Sequence, residues 1–117
     1  MKQSFVHSAE LELEPGSDSA APGGAVTIAL CGSWDHEGAC RWPHETRAEL
    51  RHGKTNVRVV FSVEAENEVA VRKLIREALA NGQCTGPDGT PSRWALIADA
   101  TGILTEDESQ LWSRASH

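Results

Sequence analysis

The sequence has no long hydrophobic run. No apolar stretch among its 117 residues approaches the roughly 20 residues that a transmembrane helix needs. The first seven residues, Met1 to His7, also lack the apolar core of a secretory signal peptide. Cysteine is scarce, and the odd count of three is typical of a reducing compartment rather than of a disulfide scaffold. These absences predict a soluble, cytoplasmic protein.

Positive charge is also in short supply. The chain has 11 Lys and Arg residues against 17 Asp and Glu residues, and its formal net charge is −6. An acidic chain suits neither the phosphate contacts that dominate nucleic-acid binding nor anchoring to anionic membranes, so we expect neither partner. The basic residues nevertheless cluster in one stretch: Arg41, Arg47, Arg51, Lys54 and Arg58. This stretch predicts either a local site for a small anion or an acidic partner, or a solvated sheet face.

The chain shows no internal repeat, no heptad pattern and no long low-complexity tract. Its length suits one domain that buries roughly two-thirds of the surface exposed by the unfolded chain. A core of that size requires neither a disulfide nor a metal for folding. Residues 1–117 are therefore predicted to form a single α+β domain.

Hydrophobic periodicity predicts most of the elements. Apolar and polar residues alternate over 5–14 and 57–63, and the second segment follows a weaker strand at 47–51 and a turn, as in a β-hairpin. Two continuous apolar runs, 25–31 and 94–98, suit buried strands. Helical spacing predicts one long helix over 67–81, capped by Asn67 and ended by Gly82, with these apolar positions: Val71, Leu74, Ile75, Ala78 and Leu79.

The remaining segments carry turn and capping residues. Segments 15–24 and 83–92 are rich in Gly and Pro and are predicted to be loops, and 99–102 is predicted to be a turn. Thr105 and Glu108 form a capping-box pattern that predicts a short final helix. The simplest assembly is a mostly antiparallel sheet of four to six strands covered by one long helix, with a short C-terminal helix.

The segment from Cys31 to Glu45 has the composition of a binding site. It contains two of the three cysteines, two of the five histidines and two of the four tryptophans. Loops carry function more often than the elements that they connect. Aromatic walls with a few polar groups are typical of small-molecule clefts. We therefore expect the ligand-binding residues here: Trp34, His36, Cys40, Arg41, Trp42 and His44.

A zinc site is a second interpretation of this segment. His36, Cys40 and His44 are spaced four residues apart, and thiolate and imidazole are ligands that suit Zn²⁺. A helix would place the three side chains on one face. Gly38 and Pro43 disfavour a regular helix at this position, and the short paired cysteine motifs of common zinc sites are missing. The interpretation that we favour has no metal and no cofactor.

Catalysis and simple packing are a third and a fourth interpretation. His36 lies between two carboxylates in the sequence and could act as a general base, with Arg41 or Arg47 holding an anionic substrate. In the packing interpretation, Trp34 and Trp42 only anchor the loop on the sheet.

The hypothesis that we favour is a small, non-enzymatic domain that binds a partner protein or a small ligand, such as an anion, through the 31–45 loop and the nearby sheet. A sheet covered by a helix on one side leaves an open face or edge, so we also expect association into a homodimer.

Overall fold

The computed structural model describes residues 2–31, 44–86 and 89–115. Its strands are β1 (Lys2–Leu13), β2 (His44–Arg51), β3 (Lys54–Glu64), β4 (Gln83–Thr85) and β5 (Pro91–Gly102). Its α-helices are α1 (Ala21–Cys31), α2 (Glu68–Asn81) and α3 (Glu106–Ala115), and a 3₁₀ turn at Ala65–Asn67 leads into α2. The predicted α+β class is confirmed, and the sheet of five strands lies within the predicted four to six.

The strands form one antiparallel sheet in the order β2-β3-β1-β5-β4, so the first strand of the chain lies at its centre. β1 pairs with β3 on one side and with β5 on the other. A bulge between Glu10 and Leu11 shifts the register with β5. β2 and β3 form the predicted hairpin, and its two turn residues, His52 and Gly53, both have the positive φ that a tight primed turn requires. The order β1-α1-β2-β3-α2-β5 is a split βαβ arrangement.

The two faces of the sheet differ. On the face that we call the helical face, α1 and α2 cover apolar side chains of the strands, and the buried core includes Leu11, Val57, Val59, Phe61 and Val63. On the opposite face, which we call the open face, α3 covers one end, where Trp112 packs on Val6 and Val60. Apolar and polar residues alternate along β1 and β3, and this alternation places apolar side chains on the helical face and mainly polar side chains on the open face.

Helix α1 corrects the strand predicted over 25–31. The Asp18 side chain accepts a hydrogen bond from the Ala20 N–H at 2.9 Å, and the helix begins at Ala21 with Pro22 in its first turn. Val26 and Leu30 are buried against the rest of the core. α1 contacts α2, β2 and β4, and a helix enclosed in this way can be apolar on nearly all sides. Its sequence is then a continuous apolar run without periodicity, so the sequence alone does not distinguish a buried helix from a buried strand.

Two further boundaries differ from the prediction near the end of the chain. The segment expected to be a loop over 83–92 contains β4, which pairs with the start of β5. The turn expected at 99–102 is the last part of β5, because β1 supplies partners for these residues as far as Gly102. Tertiary pairing here outweighs local turn propensity.

Helix α2 confirms the predicted apolar stripe, and its buried residues are Val71, Ile75 and Leu79. It ends at Gly82, whose φ of 72° is the left-handed conformation that glycine adopts without strain. Asn67 occupies the N-cap position, as predicted, but its backbone is helical and its side chain does not make the predicted capping hydrogen bond. The chain enters α2 through the 3₁₀ turn instead. Within the described residues, no helix is long and apolar enough to cross a bilayer.

Candidate functional site

Most of the predicted ligand-binding residues fall in 32–43, which lies outside the described residues. These residues are Trp34, His36, Cys40, Arg41 and Trp42. The zinc, catalytic and packing interpretations of the loop depend on the same segment and therefore stay predictions. In the described ranges, no three His, Cys, Asp or Glu side chains form a group that could hold a metal ion.

His44 is the one predicted site residue that the structure describes. It opens β2, is half-buried, and its Nε2 lies 3.2 Å from the Thr27 hydroxyl of α1. Beside it, a pocket of about 450 Å³ separates α1 from β2. The buried Thr46 hydroxyl in its lining makes no hydrogen bond to the described part of the chain. The His44 side chain therefore lies on the helical face, in contact with α1.

The described members of the predicted basic stretch, Arg47, Arg51, Lys54 and Arg58, lie on the open face of the β2–β3 hairpin. In an antiparallel pair, residues directly opposite each other point to the same side. Arg47 lies opposite Arg58, Glu49 opposite Asn56, and Arg51 opposite Lys54. The alternation of the hairpin thus brings these basic side chains to one face, interspersed with glutamate.

A groove of about 610 Å³ crosses this open face between the hairpin and α3. Its volume is within the range of roughly 300–1,000 Å³ that ligand sites occupy. The floor consists of small or polar residues of β1, β3 and β5: Ser8, Glu10, Asn56, Ala98 and Ala100. The β2 side carries Arg47, Glu49 and Arg51, and the α3 side carries Thr105, Asp107, Glu108 and Leu111.

The α3 side of the groove is fixed by an ion pair between Arg58 and Glu108. Arg58 donates two hydrogen bonds to this carboxylate, from Nη2 to Oε1 at 2.6 Å and from Nε to Oε2 at 3.1 Å. Its Nη2 also donates to the carbonyl oxygen of Ile103. A planar guanidinium matches a carboxylate in this two-point geometry, which restrains both side chains. The pair therefore ties the start of α3 to the middle of β3.

Glu108 is held at its other side by the predicted capping box. Its Oε1 accepts a hydrogen bond from the Thr105 backbone N–H at 2.9 Å, and its own backbone N–H donates to Thr105 Oγ1 at 3.1 Å. The hydrogen bond from Arg58, with help from Thr105, lowers the pKa of Glu108 from 4.5 to about 2, although burial opposes this change. The same contact raises the pKa of Arg58. Both groups are therefore charged at neutral pH.

The arginines on the β2 side are much less restrained. Arg47 lies 3.3 Å from Glu45 and Arg51 lies 3.1 Å from Glu49, and both arginine side chains are more than 60% exposed. Exposed ion pairs of this kind contribute about 0–1 kcal/mol. The two guanidinium groups can therefore exchange their present partners for those of a bound molecule at little cost.

A second polar cluster, on the helical face, is occupied by internal contacts. His7 Nε2 lies 2.8 Å from Asp99 Oδ2, and Arg72 Nη1 donates to His7 Nδ1 at 3.2 Å. Because arginine only donates, Nδ1 carries the lone pair and the proton is on Nε2, facing Asp99. Arg72 also donates to Glu68 at 2.7 Å and to the Val6 carbonyl at 2.8 Å. Both imidazole nitrogens are thus engaged, and the cluster holds α2 against β1 and β5.

Sequence reasoning missed the groove as a site, although it singled out parts of it. Arg47, Arg51 and Arg58 belong to the basic stretch, and Glu108 belongs to the capping box. The floor residues Glu10 and Asn56 carried no sequence signal beyond strand alternation. Comparison of the chain with protein-family models, with curated proteins and with solved structures gave no match.

Proposed function

We propose that the protein is a small binding domain that holds a partner protein on its open face, with a short segment of the partner seated in the groove beside α3. The observation that carries this proposal is the groove itself, with a floor of small or polar residues, one restrained wall and one wall of exposed arginines. Fixed polar groups give a binding site its specificity, and exposed charges guide the approach of a partner.

The charges that line the groove favour a protein over a small anion. Three arginines among the described residues line it, and the positive charge of Arg58 is already matched by Glu108. Glu10, Glu49, Asp99 and Asp107 add four further acidic residues to the lining. A compact anion at the floor would therefore face negative charge from several sides. A protein surface with both signs of charge can match this alternation, which is how charge complementarity selects a partner.

Exposed apolar side chains at the α3 side support the same proposal. Leu111 lines the groove and is 55% exposed, and Ile103, whose carbonyl oxygen Arg58 binds, is 85% exposed. Protein interfaces combine an apolar centre with a polar rim. Leu111 and Ile103 would supply apolar contact, and the arginines of β2 the polar rim.

The predicted binding loop is compatible with this proposal. Residues 32–43 lead directly into β2, the strand that carries Arg47 and Arg51. The involvement of Trp34, His36, Cys40, Arg41 and Trp42 stays a prediction.

Two tryptophan substitutions on β5 would test the proposal. Ala100→Trp places a large ring on the groove floor, whereas Ala95→Trp makes the same change at an exposed position of the same strand outside the groove. Proteins retained from a cell extract by each variant and by the unmodified chain would be quantified by mass spectrometry, after circular dichroism has shown that all three are folded. We expect Ala100→Trp to lose at least 90% of a partner that Ala95→Trp retains.

Two results would contradict the proposal. One is equal retention of the partner by both tryptophan variants, which would place its binding site elsewhere. The other is a response to inorganic phosphate alone: NMR shifts confined to Arg47, Arg51 and their neighbours at millimolar phosphate would make a small anion the ligand.

A further inference from the structure

β2 is an edge strand with the geometry for further pairing. It lies at one end of the sheet order, and within residues 2–31, 44–86 and 89–115 no strand pairs with its outer side. Its register with β3 is uninterrupted over His44–Arg51, and it contains neither proline nor lysine. Edge strands are usually protected from pairing by bulges, prolines or charged side chains, lysine above all. Of these devices β2 has only charged side chains, and their signs alternate.

The charges of β2 alternate in sign along the open face. Side chains at every second position of a strand share a face, and here the order is Glu45, Arg47, Glu49, Arg51. All four side chains are more than 40% exposed. The ion pairs that they form within the strand are weak for this reason, so the charges are available to a partner strand.

We infer that β2 is the dimer interface of this protein, pairing antiparallel with β2 of a second copy about a two-fold axis at Ala48. In this register Arg47 of each copy lies opposite Glu49 of the other, and Glu45 lies opposite Arg51. Every charge on the open face of the strand then meets an opposite charge across the interface, giving four cross-strand pairs. Opposite charges at directly opposed positions stabilise a sheet, and like charges destabilise it.

The same charges select this register over its neighbours. A shift by two residues in one direction places Arg47 opposite Arg47 and Glu45 opposite Glu49. A shift by two in the other direction places Glu49 opposite Glu49 and Arg47 opposite Arg51. Each of these registers sets like charges against each other at every charged position that still has a partner within β2. Registers about Thr46 or Leu50 oppose unlike charges but give only two cross-strand pairs each, so the register about Ala48 is the one that pairs all four charges of β2.

An exposed leucine on the other side of the strand agrees with this assignment. Leu50 is 73% exposed on the edge strand, where a second copy would cover it. In the inferred dimer it lies opposite Thr46 of the second copy. The two-fold axis stands perpendicular to the joined sheet, so both open faces, with their grooves, lie on the same side. This inference does not rest on the binding role proposed for the groove, although Arg47, Glu49 and Arg51 belong to both surfaces.

A charge swap at the centre of β2 tests the inference. Arg47→Glu alone places a glutamate opposite Glu49 twice by symmetry and should weaken the dimer at least tenfold. Adding Glu49→Arg restores opposite charges across the interface while breaking both of the present ion pairs within the strand, because the order becomes Glu-Glu-Arg-Arg. We therefore expect the double variant to dimerise within about threefold of the unmodified protein, as measured by sedimentation velocity over a wide range of concentrations.

Lys73→Glu provides the matched control, because it makes the same type of charge reversal at an exposed position of α2. It should leave the dimerisation constant unchanged. An unmodified chain that stays monomeric at millimolar concentration would overturn the inference. A dimer that Arg47→Glu does not weaken, or that the double variant does not restore, would also overturn it, provided that circular dichroism shows folded protein.

A cysteine at the two-fold axis gives a second measurement that does not depend on charge. Directly opposed Cα atoms of antiparallel strands lie about 4.5–5.5 Å apart, which is within the range of a disulfide. Ala48→Cys should therefore form a covalent dimer on mild oxidation, beyond any formed by the unmodified chain. Ala95→Cys, exposed on β5, serves as the comparison and should not. Equal crosslinking of the two variants would reject the assigned register.

Discussion

Replacing Glu108 with Gln should destabilise the protein in a way that depends on pH. The carboxylate accepts two hydrogen bonds from Arg58 and one from the Thr105 N–H. Glutamine can still accept from the Thr105 N–H, because capping boxes use Glu or Gln at this position. The substitution therefore removes mainly the negative charge that faces Arg58.

The size of the effect follows from the pKa of Glu108. A value of about 2 in the folded protein against an ordinary 4.5 corresponds to roughly 3 kcal/mol of stability at neutral pH. Arg58 is 30% exposed, and solvent screening reduces this figure. We expect Glu108→Gln to lower the free energy of unfolding by about 2 kcal/mol at pH 7, between the values typical of exposed and of buried ion pairs.

The pH dependence has a definite sign. Folding lowers the pKa of Glu108, so its contribution is complete above about pH 4.5 and is lost as the pH falls toward 2. Urea unfolding at pH 7, 5, 4 and 3 should therefore show that the difference in free energy of unfolding between wild type and variant shrinks from pH 5 to pH 4 and again from pH 4 to pH 3. Glu106→Gln, exposed in the same helical turn, should cost less than about 0.5 kcal/mol throughout. A difference for Glu108→Gln that is the same at pH 7 and pH 3 would refute this reasoning.

Two other substitutions probe the fold. Ile75→Ala should lower the free energy of unfolding by about 2–5 kcal/mol, because this side chain is fully buried. Val69→Ala, on the exposed side of α2, should change the denaturation midpoint little. Equal effects of the two substitutions would show that the apolar stripe of α2 is not part of the core. Gly82→Ala should lower the free energy of unfolding more than Gly53→Ala does in the same assay. Both glycines have positive φ, but a Cβ at Gly82 would lie 2.5 Å from the Trp94 carbonyl oxygen, whereas a Cβ at Gly53 would meet open space. A similar loss for both variants would argue against this close approach.

The elements that could be predicted from the sequence are those with a local signal. Alternation predicted β1 and the hairpin, helical spacing predicted α2, and the Thr105–Glu108 capping box predicted the start of α3. α1 could not be predicted, since a continuous apolar run is compatible with a buried helix and with a buried strand. The end of β5 was mistaken for a turn because only its pairing with β1 shows it to be a strand.

The candidate site was harder to predict because its parts are distant in sequence. Arg58 and Glu108 are 50 residues apart, and nothing local indicates that they meet. The sequence did show that the basic residues of the hairpin cluster, and it predicted either a local site or a solvated sheet face. The strand register shows that these side chains share the open face. The prediction for the 31–45 loop rested on composition, and its structure is described only at Cys31, His44 and Glu45.

Synthesis of this chain leaves the middle of its sheet incomplete for many seconds. β1 is made before the other strands, yet one of its neighbours, β5, is the last strand to follow: His7 and its partner Asp99 are 92 residues apart. At about 5–20 residues per second, the ribosome needs roughly 5–20 s to supply β5 after β1. During that time β1 can pair with β3 but keeps an unpaired side, a template on which nascent chains aggregate. We expect production of the folded protein to depend on chaperones that shield β1, and to improve when translation is fast.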